Sequence, residues 1–142
     1  MIRRKKPLRR GKPGRRPKSE RQKLDAEALK LWGLLVRERD VVCRVQLASK
    51  CRRVAEHPHH MVKKSKSGAT RFLPENGLGI CAPCHAYIHD GHCLDEAQVY
   101  RDCGVDYDAL MLRARTRVSR APADLKLVVL DLKARLREMR GE

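Results

Sequence analysis

The sequence predicts an α+β fold, with long helices at both ends of the ordered chain and a short centre of strand character between them. Three observations carry that expectation. Apolar residues recur at helical spacing over residues 24–36 and again over 125–139, the mark of amphipathic helices. All six histidines and four of the six cysteines fall between those stretches. Third, 142 residues that are 42% apolar but only 4% aromatic allow one small domain with extensions, not two domains.

Taken in order, residues 1–18 read as a disordered basic arm. Residues 1–23 hold twelve Lys or Arg against one acid, Glu20, while 24–112 are electrically neutral and 113–142 carry +5. The arm mixes its cations with Pro7, Pro13, Pro17, Gly11 and Gly14. Such a segment buries too little apolar surface to offset its ordering entropy. Its charge suits a polyphosphate, with nucleic acid ahead of an acidic membrane surface, and a solubilising tail as the plain alternative. Residues 19–39 read as a helix capped by Ser19, with Leu24, Ala28, Leu31, Leu35 and Val36 on one face and Trp32 packed beside them.

The last unit, 93–142, is expected to be helical. Asp95 caps a short helix stopped by Gly104, a second runs over 106–117, and Pro122 opens a long one. The stripe Leu125, Val128, Val129, Leu132, Leu136 and Met139 either covers the domain or pairs with a partner. The chain is therefore a monomer or a homodimer. No run reaches the roughly 18–20 apolar residues of a membrane helix, and no apolar segment follows the basic start. A cytoplasmic protein without a membrane partner is expected. There is no Gly-rich phosphate loop and no Ser-His-Asp arrangement.

The chemistry lies in the centre, residues 40–92. Six cysteines in a basic chain without a secretory signal point to metal rather than disulfides. Cys81 and Cys84 have the spacing at which two thiolates share a tetrahedral ion. Cys43 and Cys51, seven residues apart, bracket a polar loop and can supply the opposing pair. A four-cysteine zinc would contribute folding energy that a core so poor in aromatics lacks. Buried reduced thiols are the alternative, and the better reading for Cys93 and Cys103. His85 and His89 stand one turn apart if Pro83 opens a helix ended by Gly91. The adjacent His59 and His60, on a strand, would point to opposite sides. One could then join the helical pair at an ion, leaving the other as a base near neutral pH.

The ordered set His59-His60-Met61, Ser67-Gly68, Pro74-Glu75-Asn76 and Cys81-x-x-Cys84-His85-x-x-x-His89 resembles the HNH endonuclease family. That resemblance implies a ββα-metal (HNH) core over 40–92 with a structural four-cysteine zinc site, flanked by N- and C-terminal helices. It implies that His59, His85 and His89 hold one catalytic divalent cation and that His60 is the general base. Asn76 would hold the loop and aim His60, while Cys43, Cys51, Cys81 and Cys84 would bind the structural zinc. The implied activity is hydrolysis of duplex DNA, by nicking or double-strand cleavage, with little sequence specificity. Water activated by His60 would attack the phosphodiester and leave 5′-phosphate ends. An all-imidazole ligand set would accept Mg²⁺, Mn²⁺, Ni²⁺ or Zn²⁺. Gly77 stands where the family often has Leu, and the Cys43–Cys51 gap is longer than usual. Lys63, Lys64, Lys66 and Arg71 are candidate phosphate contacts, whereas His57 and His92 fall outside the motif. Small basic members of the family resemble bacteriophage nucleases that assist DNA packaging by terminase. The alternative is a zinc-stabilised nucleic-acid-binding or assembly protein on the same scaffold, with cleavage weak or lost.

Overall fold

The computed structural model describes residues 17–47 and 49–142. The basic arm expected over 1–18 lies outside them, apart from its last two residues. The described chain is α+β, with five helices and one two-stranded antiparallel sheet.

Helix α1, Glu20–Arg39, begins where Ser19 forms a reciprocal capping box with Gln22. The sheet pairs β1, His57–His60, with β2, Gly77–Ile80, in a register that sets His59 opposite Leu78 and His60 opposite Gly77. Helix α2, Ala82–His89, follows β2 directly, with Cys81 at its N-cap and Pro83 in its first turn. Helices α3, Glu96–Asp102, and α4, Tyr107–Ala114, start at the side-chain caps Asp95 and Asp106. Helix α5, Pro122–Arg140, closes the chain. Helix α4 stops short of the expected residue 117. Arg115, Thr116 and Arg117 are all exposed, so nothing apolar rewards another turn, and i→i+3 bonds tighten its end.

Two cores result. One joins the cysteine-bearing loops and the hairpin to α2, α3 and α4 through Met61, Val62, Leu78, Ile80, Ile88, Tyr100 and Leu110. The other packs α1 on α5 through Ala28, Trp32, Leu35, Val36, Val129, Leu132 and Leu136. The α5 stripe thus covers α1. Ion pairs Glu20–Lys126, Glu27–Lys133 and Glu38–Arg140 rise together along both helices, so the two run parallel. Each exposed pair is worth little, so the apolar seam supplies most of the adhesion. Met139 departs from the expected stripe and is 43% exposed. Beyond Val36, α1 reads Arg-Glu-Arg and has nothing apolar to offer it.

Helix α1 also lies against the hairpin, and Gly77 permits this. A Cβ there would stand 2.3 Å from Val36 Cγ2 and 2.8 Å from Trp32 Cζ2. Asp40, just past α1, accepts a 2.8 Å hydrogen bond from the Gly79 N–H and ties the helix end to β2.

Candidate functional site

Four thiols converge from two separate places. The Cys43–Cys51 loop is closed by a bridge between Val42 and Val54 and by the Cys43 N–H donating to Arg53 O at 2.9 Å. Arg53, at φ +61°, turns the chain back so that its own N–H meets Cys51 Sγ at 3.4 Å. Cys81 and Cys84 come from the junction of β2 and α2. One ligand atom from each of Cys43, Cys51, Cys81 and Cys84 lies within 4.8 Å of the others. Cys51 Sγ and Cys81 Sγ are 3.7 Å apart. That is far beyond a disulfide bond of about 2.05 Å. It matches the edge of about 3.8 Å that Zn–S bonds of about 2.3 Å set in a tetrahedron. Burial pushes the Cys81 thiol up, but the backbone N–H groups of Cys84 and Arg52 and the neighbouring thiols bring it down to about 7. The group is able to hold a metal ion as thiolates.

The histidines form the second cluster. On β1 the alternation of side chains separates His59 from His60. His59 turns to α2, where its ring stands edge-on to those of His85 and His89, with centroids 5.4 Å away in both cases. His85 Nε2 and His89 Nε2 are 3.2 Å apart, close to the edge of about 3.4 Å expected across one tetrahedral zinc with N ligands. His59, His85 and His89 each offer a ligand atom within 4.8 Å of the others. His59 is 4% exposed, and its pKa is lowered to about 3 by burial and then by His85 and His89. Burial, with His89 and His57 beside it, lowers that of His85 as well. Neutral imidazoles with free lone pairs are what a cation requires.

His60 has different partners. Its ring stacks on Trp32 with centroids 3.6 Å apart, and its Nε2 lies 2.9 Å from Arg71 O. A carbonyl only accepts, so Nε2 carries the hydrogen and Nδ1 the lone pair. Burial, together with the nearby Lys64 and Arg71 charges, keeps its pKa below the usual value. Trp32 is held in turn by its Nε1–H, which donates to Leu73 O at 2.8 Å. Core packing, expected for Trp32, is half of what it does; contact with His60 is the other half.

Asn76 is fully buried on the turn Pro74–Asn76 before β2. Its Oδ1 accepts from Val62 N at 2.7 Å, and its Nδ2 donates to Val62 O and Thr70 O at 3.0 Å each. It therefore ties the segment leaving β1 to the loop ahead of β2. All four imidazoles of the two groups, with Pro58, Lys63, Lys64 and Ser65, line one cleft of about 340 Å³.

Not every candidate falls at this cleft. Lys66 is exposed and does not line it. Arg71 is a correction: its guanidinium turns inward to pair with Asp25 at 2.6 Å and to donate to Lys64 O. It is spent on joining the loop to α1 and is no free phosphate contact. His57 is exposed with its ring 5.7 Å from that of His85, and His92 lies against Tyr87. Cys93 and Cys103 pack at the margin of the first core and are not part of the four-thiol group. Tyr100 was not singled out from the sequence, yet its OH lies 2.9 Å from His59 Nε2. Forty-one residues separate the two, and no spacing rule connects them.

Compared with protein-family models, with curated proteins and with solved structures, the chain matches none. No helix among the described residues is long and apolar enough to cross a membrane.

Proposed function

We propose that this chain is a metal-dependent endonuclease of the HNH kind that hydrolyses phosphodiester bonds in DNA. The observation that carries the reading is the shared cleft. Three imidazoles face one another there, and a fourth, adjacent in sequence, is held by other partners with one nitrogen free. The motif order along the sequence supports the same reading. His59, His85 and His89 would hold the cation. When bound, such a cation supplies Lewis-acid stabilisation of the charge that grows on the scissile phosphate and the leaving oxygen.

The remaining work falls to the chain's own groups. His60 takes a proton from water at Nδ1, because Arg71 O occupies the hydrogen on Nε2 and Trp32 fixes the ring plane. Asn76 anchors the loop that follows His60. Lys63 and Lys64, at the edge of the cleft, draw the phosphate in. The cationic ends of the chain add affinity for phosphates without reading bases. Cys43, Cys51, Cys81 and Cys84 would hold zinc as a staple away from the reaction.

The test is cleavage of supercoiled plasmid with Mg²⁺, Mn²⁺, Ni²⁺ or Zn²⁺ by wild type and by His60→Ala. Nicked or linear product is expected, with a loss of at least about 100-fold in the folded variant. Equal rates in both would remove His60 from the reaction. No cleavage with any ion, but salt-sensitive DNA binding, would favour a zinc-stapled binding protein on this scaffold.

A further inference from the structure

The hydrogen bond that reaches His59 comes from outside the hairpin and helix that carry the three imidazoles. Tyr100 sits on α3 and is 1% exposed, with its ring against that of Tyr107 at 5.3 Å. Its OH lies 2.9 Å from His59 Nε2 and 3.3 Å from Oε2 of Glu96, one helical turn earlier. A carboxylate accepts, so the phenol donates its hydrogen to Glu96 and offers its oxygen to His59. His59 Nε2 then carries a hydrogen, and the lone pair lies on Nδ1.

We propose that Tyr100, backed by Glu96, is a positioning residue that selects the tautomer and ring orientation with which His59 meets a divalent cation. The inference rests on the proposed reading of His59, His85 and His89 as a cation site. An imidazole without such a partner divides its population between two tautomers and rotates about its outer bond, and binding must then bear the cost of ordering it. Partners of this kind, donated to by the far nitrogen of a ligating histidine, are worth about 10–100-fold in metal affinity. The role also gives α3 a purpose. Asp95 caps it at Gln98 N, Glu96 occupies its first turn, and Tyr100 completes the core beneath the hairpin.

The experiment compares wild type, Tyr100→Phe, Glu96→Ala and Glu96→Gln as full, zinc-loaded chains. Mn²⁺ and Ni²⁺ binding is measured by calorimetry, and the ring ¹⁵N signals of His59 are recorded without added cation. Tyr100→Phe is expected to bind about 10–100-fold more weakly with unchanged zinc content, and His59 to pass from one Nε2–H form to a mixture. Glu96→Ala should lose about 3–10-fold, and Glu96→Gln, which keeps an accepting oxygen, should restore most of that. Wild-type affinity in Tyr100→Phe, or in Glu96→Ala should the phenylalanine variant not fold, overturns the positioning role alone. Wild type that binds neither ion, or binds it equally well after His85→Ala, overturns the cation site and this inference with it.

Discussion

Replacing Asn76 by Ala isolates the bond set that holds the loop after His60. The side chain is fully buried and makes three hydrogen bonds, one to Val62 N and one each to the carbonyls of Val62 and Thr70. Truncation orphans a buried N–H, at about 1–3 kcal/mol, and strips one partner from each carbonyl at a smaller cost. The amide also leaves a void that the surrounding turn fills only in part. Together these come to about 3–4 kcal/mol, a large share of the roughly 5–15 kcal/mol typical of a domain. At about 4 °C per kcal/mol, the midpoint should fall by roughly 12–16 °C. Urea and thermal unfolding of the zinc-saturated protein, followed by circular dichroism and by the single Trp32, would measure it. Asn76→Asp sharpens the test. It keeps an acceptor for Val62 N but sets a carboxylate against two carbonyls, so burial and repulsion raise its folded pKa above the unfolded value. The penalty is then full at neutral pH and shrinks as the pH falls through that raised value, when the protonated acid regains a donor. A loss under about 1 kcal/mol for Asn76→Ala, or a penalty for Asn76→Asp that does not shrink in acid, would refute the reasoning.

Three further outcomes follow from the packing. Gly77→Ala places a Cβ 2.3 Å from Val36 Cγ2 and should cost about 1–3 kcal/mol while shifting Trp32 emission, since α1 must retreat from the hairpin; unchanged stability and emission would contradict this. Removing any metal from the four thiols with a strong chelator, or replacing Cys81 by Ser, should strongly weaken the cooperative unfolding transition, because the four side chains that join the two loops there would be left as an uncrosslinked group of thiols; a sharp, unshifted transition in metal-free protein, checked by atomic absorption, would count against it. Burial raises the Asp40 carboxyl, but hydrogen bonds from Arg39 and the Gly79 N–H and the Arg39 and Arg44 charges hold its pKa below the ordinary 3.8. Its stabilisation should therefore be fully present above about 3.8 and fade as the pH falls through the lower folded value, and Asp40→Asn should lack that component of the acid transition in a pH series of urea midpoints.

Local signals made much of this architecture legible. Ser19, Asp95 and Asp106 mark helix starts through bonds made within three residues, and the 3.6-residue stripes of α1 and α5 record which faces are apolar. The approach of His85 to His89 is likewise a matter of one helical turn. Alternation on a strand separates His59 from His60 as soon as the strand is granted. None of these requires knowledge of distant parts of the chain.

What only the tertiary structure decided are the partners. The α5 stripe reads the same whether it covers α1 or another chain, and the structure sets it on Val36 and its neighbours, leaving Met139 in solvent. Arg71 resembled its lysine neighbours as a loop cation until Asp25, on α1, claimed it. Gly77 departed from a familiar pattern for a reason supplied by Trp32 and Val36, some forty residues earlier. Trp32 lies beneath His60 and Tyr100 behind His59 because α1 and α3 pack on opposite sides of one short hairpin. Residue type and spacing encode which groups a segment offers locally. Which of them meet across 28 or 41 residues depends on how helices dock, and that is settled by the shape and volume of both surfaces together.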